Sequence, residues 1–187
     1  THDKTHETMR PGPGRTLLNI ANWLCKVYLT VIRGTPAMIQ ILIMFFVVFS
    51  TARNGTPVAM LTFGINSGAY VAEIIRAGIQ AVDKGQMEGA RSCGMTNAQA
   101  MRYVVMPQAV KNILPAIGNE FVTMVKETSI IQYLGIGDLM YNNGIVVTST
   151  YNPLPCYYIS AIIYLALNII LGKGLNIFEG RLRKSER

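Results

Sequence analysis

The sequence predicts an all-α protein whose helices cross a membrane several times, and three observations lead to this prediction. Half of the 187 residues are hydrophobic and only 14% are charged, against roughly 25% in soluble domains, so a water-facing surface would be difficult to cover. Uncharged apolar runs of helical length recur along the chain. Lysine and arginine residues gather in separate groups between these runs, as they do when a chain passes back and forth through a bilayer.

The basic groups also predict which side of the membrane each loop faces. They lie within residues 4–33, 76–111 and 173–187, and residues 127–155 contain none. Under the positive-inside rule the three groups face the cytoplasm, while 52–57 and 127–155 face the other side. The net charge of +7 would also fit a nucleic-acid binder, but that class concentrates its basic residues on one face among aromatic or polar readers. We therefore expect membrane lipid and no nucleic acid among the partners.

The first 32 residues divide into a tail and a helix. Residues 1–16 show no periodic pattern, and the chain begins with Thr rather than Met. We interpret them as a disordered tail or a cut end, with residues 17–187 forming a single membrane domain. Apolar residues recur at spacings of three and four over 17–32, which predicts an amphipathic helix at the cytoplasmic interface.

Residues 35–51 predict the first membrane helix, because they carry no charge and are rich in Ile, Met, Phe and Val. This run would rise only about 25 Å, near the lower limit for a span. A buried helix of a large soluble protein is the alternative. After a tight outer turn at 52–57, a second membrane helix is predicted over 58–82.

Polar residues on the 58–82 helix share one face. They are Thr62, Asn66, Tyr70, Glu73 and Gln80. A polar stripe on a membrane helix must face protein or water, so this one could line a passage. The alternative is that Glu73 pairs with Arg76 near the cytoplasmic interface. Gly64 and Gly68 also predict close helix packing on this element.

Residues 83–107 predict two short helices that meet at a glycine, and we call this segment the elbow. The residues expected to cap or end its helices are Asp83, Gln86, Gly94, Thr96, Gln99 and Pro107. Asp83 and Thr96 each precede a glutamine by three residues, as in a capping box, and Gly94 suits the left-handed position at a helix end. Pro107 is expected to stop the second helix. A small helical elbow of this kind is a docking surface.

The remaining chain predicts two more crossings, over 108–126 and 156–174, joined by an outer or re-entrant segment at 127–155. Residues 141–144 are expected to form a turn within that segment. The residues from Lys126 to Ser129 lie at a predicted helix break, and charged or polar groups at such a break are candidates for a binding site. The alternative is a simple helix cap made by Thr128 or Ser129.

Several residues in register resemble a known family. Within the elbow the residues that align with the family's motif are Glu88, Ala90, Gly94, Val104, Met106 and Pro107. They resemble the Glu-Ala-Ala loop of membrane-spanning subunits of bacterial ABC importers, with Gly89, Val104 and Met106 in place of three usual residues. Further matches, to the polar amino acid branch of that family, are Arg33-Gly34-Thr35-Pro36, Ala69-Tyr70 with Glu73 and Arg76, Lys84-Gly85-Gln86, Pro115 with Asn119-Glu120, and Lys126 with Thr128-Ser129.

The resemblance implies a type I transmembrane domain of an ABC importer in the bacterial cytoplasmic (inner) membrane, translocating an amino acid. Family members have another membrane helix before this region, so we interpret the amino-terminal part as missing. The implied partners are a cytoplasmic ATP-binding subunit, a second permease copy or sister subunit, and an extracytoplasmic solute-binding protein. The chain has no phosphate-binding Gly-rich loop, so we expect no enzyme activity and no cofactor in it, with ATP and Mg in the partner subunit. The alternatives are a permease for another small solute and a channel outside the ABC class.

Two groups of residues are expected to carry this function. The residues expected to couple to the ATPase are Glu88, Ala90, Arg91, Gly94, Met95, Met101 and Pro107. The residues expected along the substrate path are Asn66, Tyr70, Glu73, Asn119, Glu120, Lys126, Glu127, Thr128 and Ser129. In the path, Lys126 would bind a carboxylate, and Glu73, Glu120 or Glu127 an amine. No catalytic residue and no metal site is expected, because the three cysteines lack metal-ligand spacing and the two histidines lie in the first six residues.

Overall fold

The computed structural model describes residues 13–184, with side chains described for 14–180, and every regular element in that part of the chain is helical. The elements are α1 (Pro13–Gly34), α2 (Ala37–Ile43) continued by a π-helical turn (Met44–Val48), α3 (Gly55–Gln80), α4 (Lys84–Ser92), α5 (Asn97–Ala100) continued by a second π-helical turn (Met101–Val105), α6 (Met106–Glu127) continued by a 3-10 helix (Thr128–Leu134), α7 (Leu139–Thr150) and α8 (Pro153–Lys184).

The predicted tail at 1–16 is only partly described. Residues 1–12, with both histidines, lie outside the described residues, whereas 13–16 belong to α1. The helix therefore begins at Pro13 rather than at 17. Proline fits the first turn of a helix because its missing N–H would have no partner there and its φ angle is already helical.

α1 and α2 meet at a sharp break. Their axes, taken over Gly14–Gly34 and Ala37–Val48, differ by 107°, so α1 lies nearly perpendicular to α2. Pro36 precedes α2 in an extended conformation. The side chain of Gln40 spans the break, because its amide donates to the carbonyl of Ile32 at 2.7 Å and to that of Thr35 at 3.1 Å.

The centre of the fold is the pairing of α3 with α6. At the predicted outer end, Ile41, Ala59 and Phe63 form a buried cluster against which Met124 packs. At the other end, Gly78 lies against Ile113 of α6. α8 packs along the other side of α6, where Gly118 lies against Leu175.

Two helices are long and apolar enough to cross a membrane by length and composition, Gly55–Gln80 and Pro153–Gly180, or three if the bent pair of α1 and α2 is one span. Of the four crossings predicted from the sequence, 156–174 falls within the second of these helices, and 58–82 matches the first except for its last two residues. The 108–126 crossing corresponds to α6, whose charged residues, Lys111 and Glu120 among them, lower its apolar content.

Three local predictions differ from the structure. Residues 141–144, expected to form a turn, lie inside α7, because Asp138 caps that helix by accepting a hydrogen bond of 2.7 Å from the Tyr141 amide. Residues 55–57 of the expected outer turn begin α3, because Asn54 caps it and accepts from the Thr56 amide at 2.9 Å. Pro107 does not stop a helix. It follows a π-helical turn, whose wider i to i+5 pattern changes the position of the carbonyl that a proline ring strikes in a regular helix.

Candidate functional site

The elbow is built as its capping residues predict. Asp83 accepts a hydrogen bond of 2.6 Å from the Gly85 amide and so caps α4, although Gln86 does not complete a capping box there. Thr96 and Gln99 do form a complete box at the start of α5. Gly94 joins the two helices with φ +87°, the left-handed conformation that glycine adopts without steric cost. The two helices therefore meet at a bend fixed by local sequence.

One side of the elbow is buried against the rest of the protein. Ala100 is fully buried, and Val105 is 5% exposed. The Gln108 amide at the start of α6 donates to the side-chain oxygen of Gln86 in α4 at 3.2 Å and to the carbonyl of Val104 at 3.0 Å. These contacts join the elbow to α6.

The opposite side of the elbow is open. Glu88, Arg91, Gly94, Met95 and Pro107 are exposed, and Ala90 and Met101 are half-buried. Within residues 14–180, no ion pair joins Glu88 to Arg91. All seven residues predicted for coupling therefore lie on one compact elbow, with an acidic side chain free to meet a cation on a neighbouring molecule.

A second group of polar residues lies where α1 meets α3, and we call Arg33, Glu73 and Arg76 the inner charge cluster. Glu73 forms ion pairs with both arginines, at 3.3 Å to Arg33 and through two hydrogen bonds from Arg76. The Arg33 guanidinium also lies 5.9 Å from the centre of the Tyr70 ring. The alternative interpretation of Glu73, as the partner of Arg76, is confirmed.

Asn66 lies on the same face of α3, one turn before Tyr70 and two turns before Glu73. It is not open to a passage in this structure. It is 4% exposed and donates a hydrogen bond of 2.9 Å to the side-chain oxygen of Gln40. Sequence analysis missed Gln40 as its partner. The one available indication was that Gln40 is the single amide side chain in the uncharged 35–51 run.

The remaining predicted path residues lie in the outer half of α6 and at the start of the 3-10 helix that follows it. Asn119 and Lys126 are exposed, whereas Glu120, Glu127, Thr128 and Ser129 are half-buried. The helix changes to a 3-10 helix at Thr128, as the predicted break requires. Thr128 does not cap the following segment, because its hydroxyl donates to the Val125 carbonyl at 2.9 Å.

The structure thus divides the predicted path into two groups at different depths. Met124 packs at the level of Phe63, whereas Ile113 lies at Gly78. At 1.5 Å of rise per residue this places Glu73 and Lys126 roughly 12–18 Å apart along the helix axes. The ammonium and carboxylate of a free amino acid share one carbon, so these two residues of one chain do not bind both ends of the same molecule.

Comparison of the sequence with known families and proteins gives three informative matches. Residues 15–184 match the family described as "Binding-protein-dependent transport system inner membrane component". A probable glutamine ABC transporter permease protein of Bacillus subtilis (strain 168) is 38% identical over 172 residues, which cover 91% of this chain and 80% of the relative. An arginine transport system permease protein of the same organism is 40% identical over 160 residues, covering 80% and 69%.

A solved structure shares both sequence and fold with this chain. It is described as the crystal structure of an amino acid ABC transporter with histidines, and it is 48% identical with a TM-score of 0.77, covering 83% of this chain and 74% of its own.

Proposed function

Because the chain belongs to the family of binding-protein-dependent transport system inner membrane components, we propose that it is the permease subunit that carries a polar amino acid inward across the membrane. Its similarity to permeases named for glutamine and for arginine supports this substrate class. Partners of three kinds complete the transporter in this proposal: a cytoplasmic ATP-binding subunit, a second permease copy or sister subunit, and an external solute-binding protein.

The observation that carries the proposal is the two-sided construction of the elbow. Its back is buried at Ala100 and Val105, while Glu88 projects from its front without an ion-pair partner among residues 14–180. An exposed carboxylate beside small and flexible apolar side chains fits a groove with one cation and an apolar floor. In the proposal that groove belongs to the ATP-binding subunit, which also holds ATP and Mg.

Movement of the elbow would reach the membrane helices through α6. The Gln86–Gln108 hydrogen bond joins α4 to the start of that helix, and the other end of the helix carries Lys126 and Glu127. Closure of two ATPase subunits would bring two elbows together and change which side of the membrane the path opens to, as in a hinge-type transition. Gly94 fixes the angle between the two docking helices.

For the substrate, the outer end of α6 is the better candidate site. Lys126 is exposed and can bind a carboxylate, and Glu120 or Glu127 can accept from an ammonium group. Asn119, Thr128 and Ser129 supply hydrogen bonds. Glu73 is a poorer candidate for binding the ammonium group of the substrate, because two guanidinium groups already hold its carboxylate.

The coupling step is tested by reversing the charge of Glu88 in the full-length permease expressed with its partners. Glu88→Lys should leave the subunit in the membrane but reduce both the copurified ATP-binding subunit and amino acid uptake by tenfold or more, because like charges then meet at the elbow. Glu179→Lys, a charge reversal on α8 away from the elbow, is the matched control. Normal copurification and uptake in Glu88→Lys would contradict the proposal.

The substrate site is tested separately with Lys126→Ala. Uptake should fall while the ATP-binding subunit still copurifies. Normal uptake in this variant would mean that the amino acid passes without binding here, and that the external protein alone selects it.

A further inference from the structure

The structure contains an open cavity of about 600 Å³ between α1 and α3, at the inner charge cluster. It is lined by Lys26, Leu29, Thr30, Arg33, Gly34, Glu73 and Arg76. Its volume lies within the range of roughly 300–1,000 Å³ found for small-molecule sites. The proposed transport function uses none of this cavity.

The lining carries an excess of positive charge. Three cations and one carboxylate give it a formal charge of +2. Glu73 holds the two arginines in place, yet 39% of the Arg33 side chain and 52% of the Arg76 side chain stay exposed. Lys26 makes no ion pair with any residue in 14–180. The net positive charge of the lining therefore favours binding of an anion.

The cations on α1 share one face of that helix. Lys26, Thr30 and Arg33 follow at spacings of four and three, so their side chains lie one above another. A hydroxyl between two cations is a suitable set of donors for phosphate oxygens, and arginine binds phosphate through a planar fork of N–H groups. The donors on the cavity wall thus favour a phosphate group over a simple halide.

Beside the cavity, α1 exposes a large aromatic side chain. Trp23, three residues before Lys26 and seven before Thr30, shares their face of the helix and is 63% exposed. The 107° break sets this helix nearly perpendicular to α2, so it lies along the membrane surface if α2 spans the membrane. Tryptophan is enriched at this depth of a bilayer. A ligand with a phosphate and an apolar chain fits the cavity and the Trp23 side chain together.

We propose that the cavity between α1 and α3 binds the phosphate of an anionic phospholipid of the cytoplasmic leaflet, with an acyl chain against Trp23. Arg33 and Arg76 belong to two basic groups on the predicted cytoplasmic side, where anionic lipids attract cations near the surface. The proposal depends on the orientation of the chain in the membrane and not on its transport substrate.

The test uses Trp23, the one tryptophan of this chain. The full-length permease is purified in a neutral detergent and titrated with phosphatidylglycerol or phosphatidylcholine carrying brominated acyl chains, which quench tryptophan on contact. A Trp23→Phe variant supplies the background. Phosphatidylglycerol should quench Trp23 at a lower mole fraction than phosphatidylcholine. Equal quenching by the two lipids would overturn the proposal.

Substitutions locate the binding to the cavity. Lys26→Gln should weaken phosphatidylglycerol binding about fivefold, as expected for one cation near a lipid surface, and Lys26→Arg should restore it. Lys173→Gln, which removes an exposed cation from the same predicted side, should bind as the unmodified chain does. Equal losses in Lys26→Gln and Lys173→Gln would mean unspecific attraction and would contradict the proposal.

A second lining variant and a titration with inorganic phosphate complete the test. Arg33→Gln removes a second cation of the lining and should also weaken binding, with circular dichroism verifying that the helices are intact. Inorganic phosphate titrated alone, without lipid, should bind far more weakly than phosphatidylglycerol. Phosphate binding as tight as that of the lipid would identify a site for a free anion and would overturn the lipid assignment.

Discussion

The side-chain amide of Asn66 donates a hydrogen bond of 2.9 Å to the side-chain oxygen of Gln40, and the amide of Gln40 in turn donates to the carbonyl of Ile32. This chain of bonds links α3, α2 and the end of α1 at the break between the first two helices. Asn66 is 4% exposed, so water does not replace a lost partner there. The polar face of α3 thus holds helices together at this depth.

We expect Asn66→Ala to destabilise the protein by about 1–2 kcal/mol, because it leaves the Gln40 oxygen without its donor. Thermal unfolding of the purified permease in detergent measures the effect as a lower Tm. Asn176→Ala, an exposed amide on α8, is the matched control and should leave the Tm unchanged. Equal Tm values for the two variants would show that the hydrogen bond contributes nothing to stability.

The contact of α3 with α6 at Gly78 predicts a difference between two glycines of the same helix. A Cβ atom at Gly78 would lie 2.3 Å from Cγ1 of Ile113, whereas a Cβ at Gly64 would meet no described atom within 4 Å. Gly78→Ala should therefore destabilise the protein by about 1–3 kcal/mol through overpacking. Gly64→Ala should stabilise it by up to about 1 kcal/mol, because alanine favours helix.

The Ile113 contact itself can be tested with a second substitution. Ile113→Ala should be destabilising alone, but it should remove most of the additional cost of Gly78→Ala, since the two residues are in contact. Urea or thermal unfolding of the four proteins of this cycle gives the coupling. Strictly additive changes would mean that the helices separate to accommodate the new methyl group.

The conformation of Gly94 predicts a graded series of variants. Its φ of +87° is tolerated by asparagine better than by alanine, and least by a β-branched residue. Gly94→Asn should keep most of the substrate-stimulated ATP hydrolysis of the reconstituted transporter, while Gly94→Val should lose tenfold or more. If Gly94→Val hydrolyses ATP and transports normally, the angle of the elbow does not matter for coupling.

The inner charge cluster predicts an ordered set of stabilities. Glu73→Gln leaves Arg33 and Arg76 close together without a carboxylate between them, whereas Arg76→Gln keeps the Arg33–Glu73 pair at 3.3 Å. We therefore expect the Tm to fall more in Glu73→Gln than in Arg76→Gln. The difference should shrink in high salt, because the arginines are partly exposed and their charges are screened. The opposite order of Tm values would contradict this arrangement.

Local features of the fold could be predicted where a few neighbouring residues decide the structure. The caps at Asp83 and Thr96 and the bend at Gly94 depend on side chains within three residues of the backbone groups they serve. The turn expected at 141–144 was wrong because Asp138, outside that stretch, starts α7. Pro107 was misjudged because the adjoining π-helical turn changes the geometry that makes proline a helix breaker.

The sequence by itself determined the fold class, the family and the residues of the elbow. Composition, charge distribution and capping each depend on residues that lie close together in the chain. Only the tertiary structure decided what the polar face of α3 does. Whether Asn66 and Glu73 line a passage or hold helices together depends on Gln40 and Arg33. Those partners lie 26 and 40 residues away in the chain, and helical periodicity describes a face of one helix without stating which neighbour covers it.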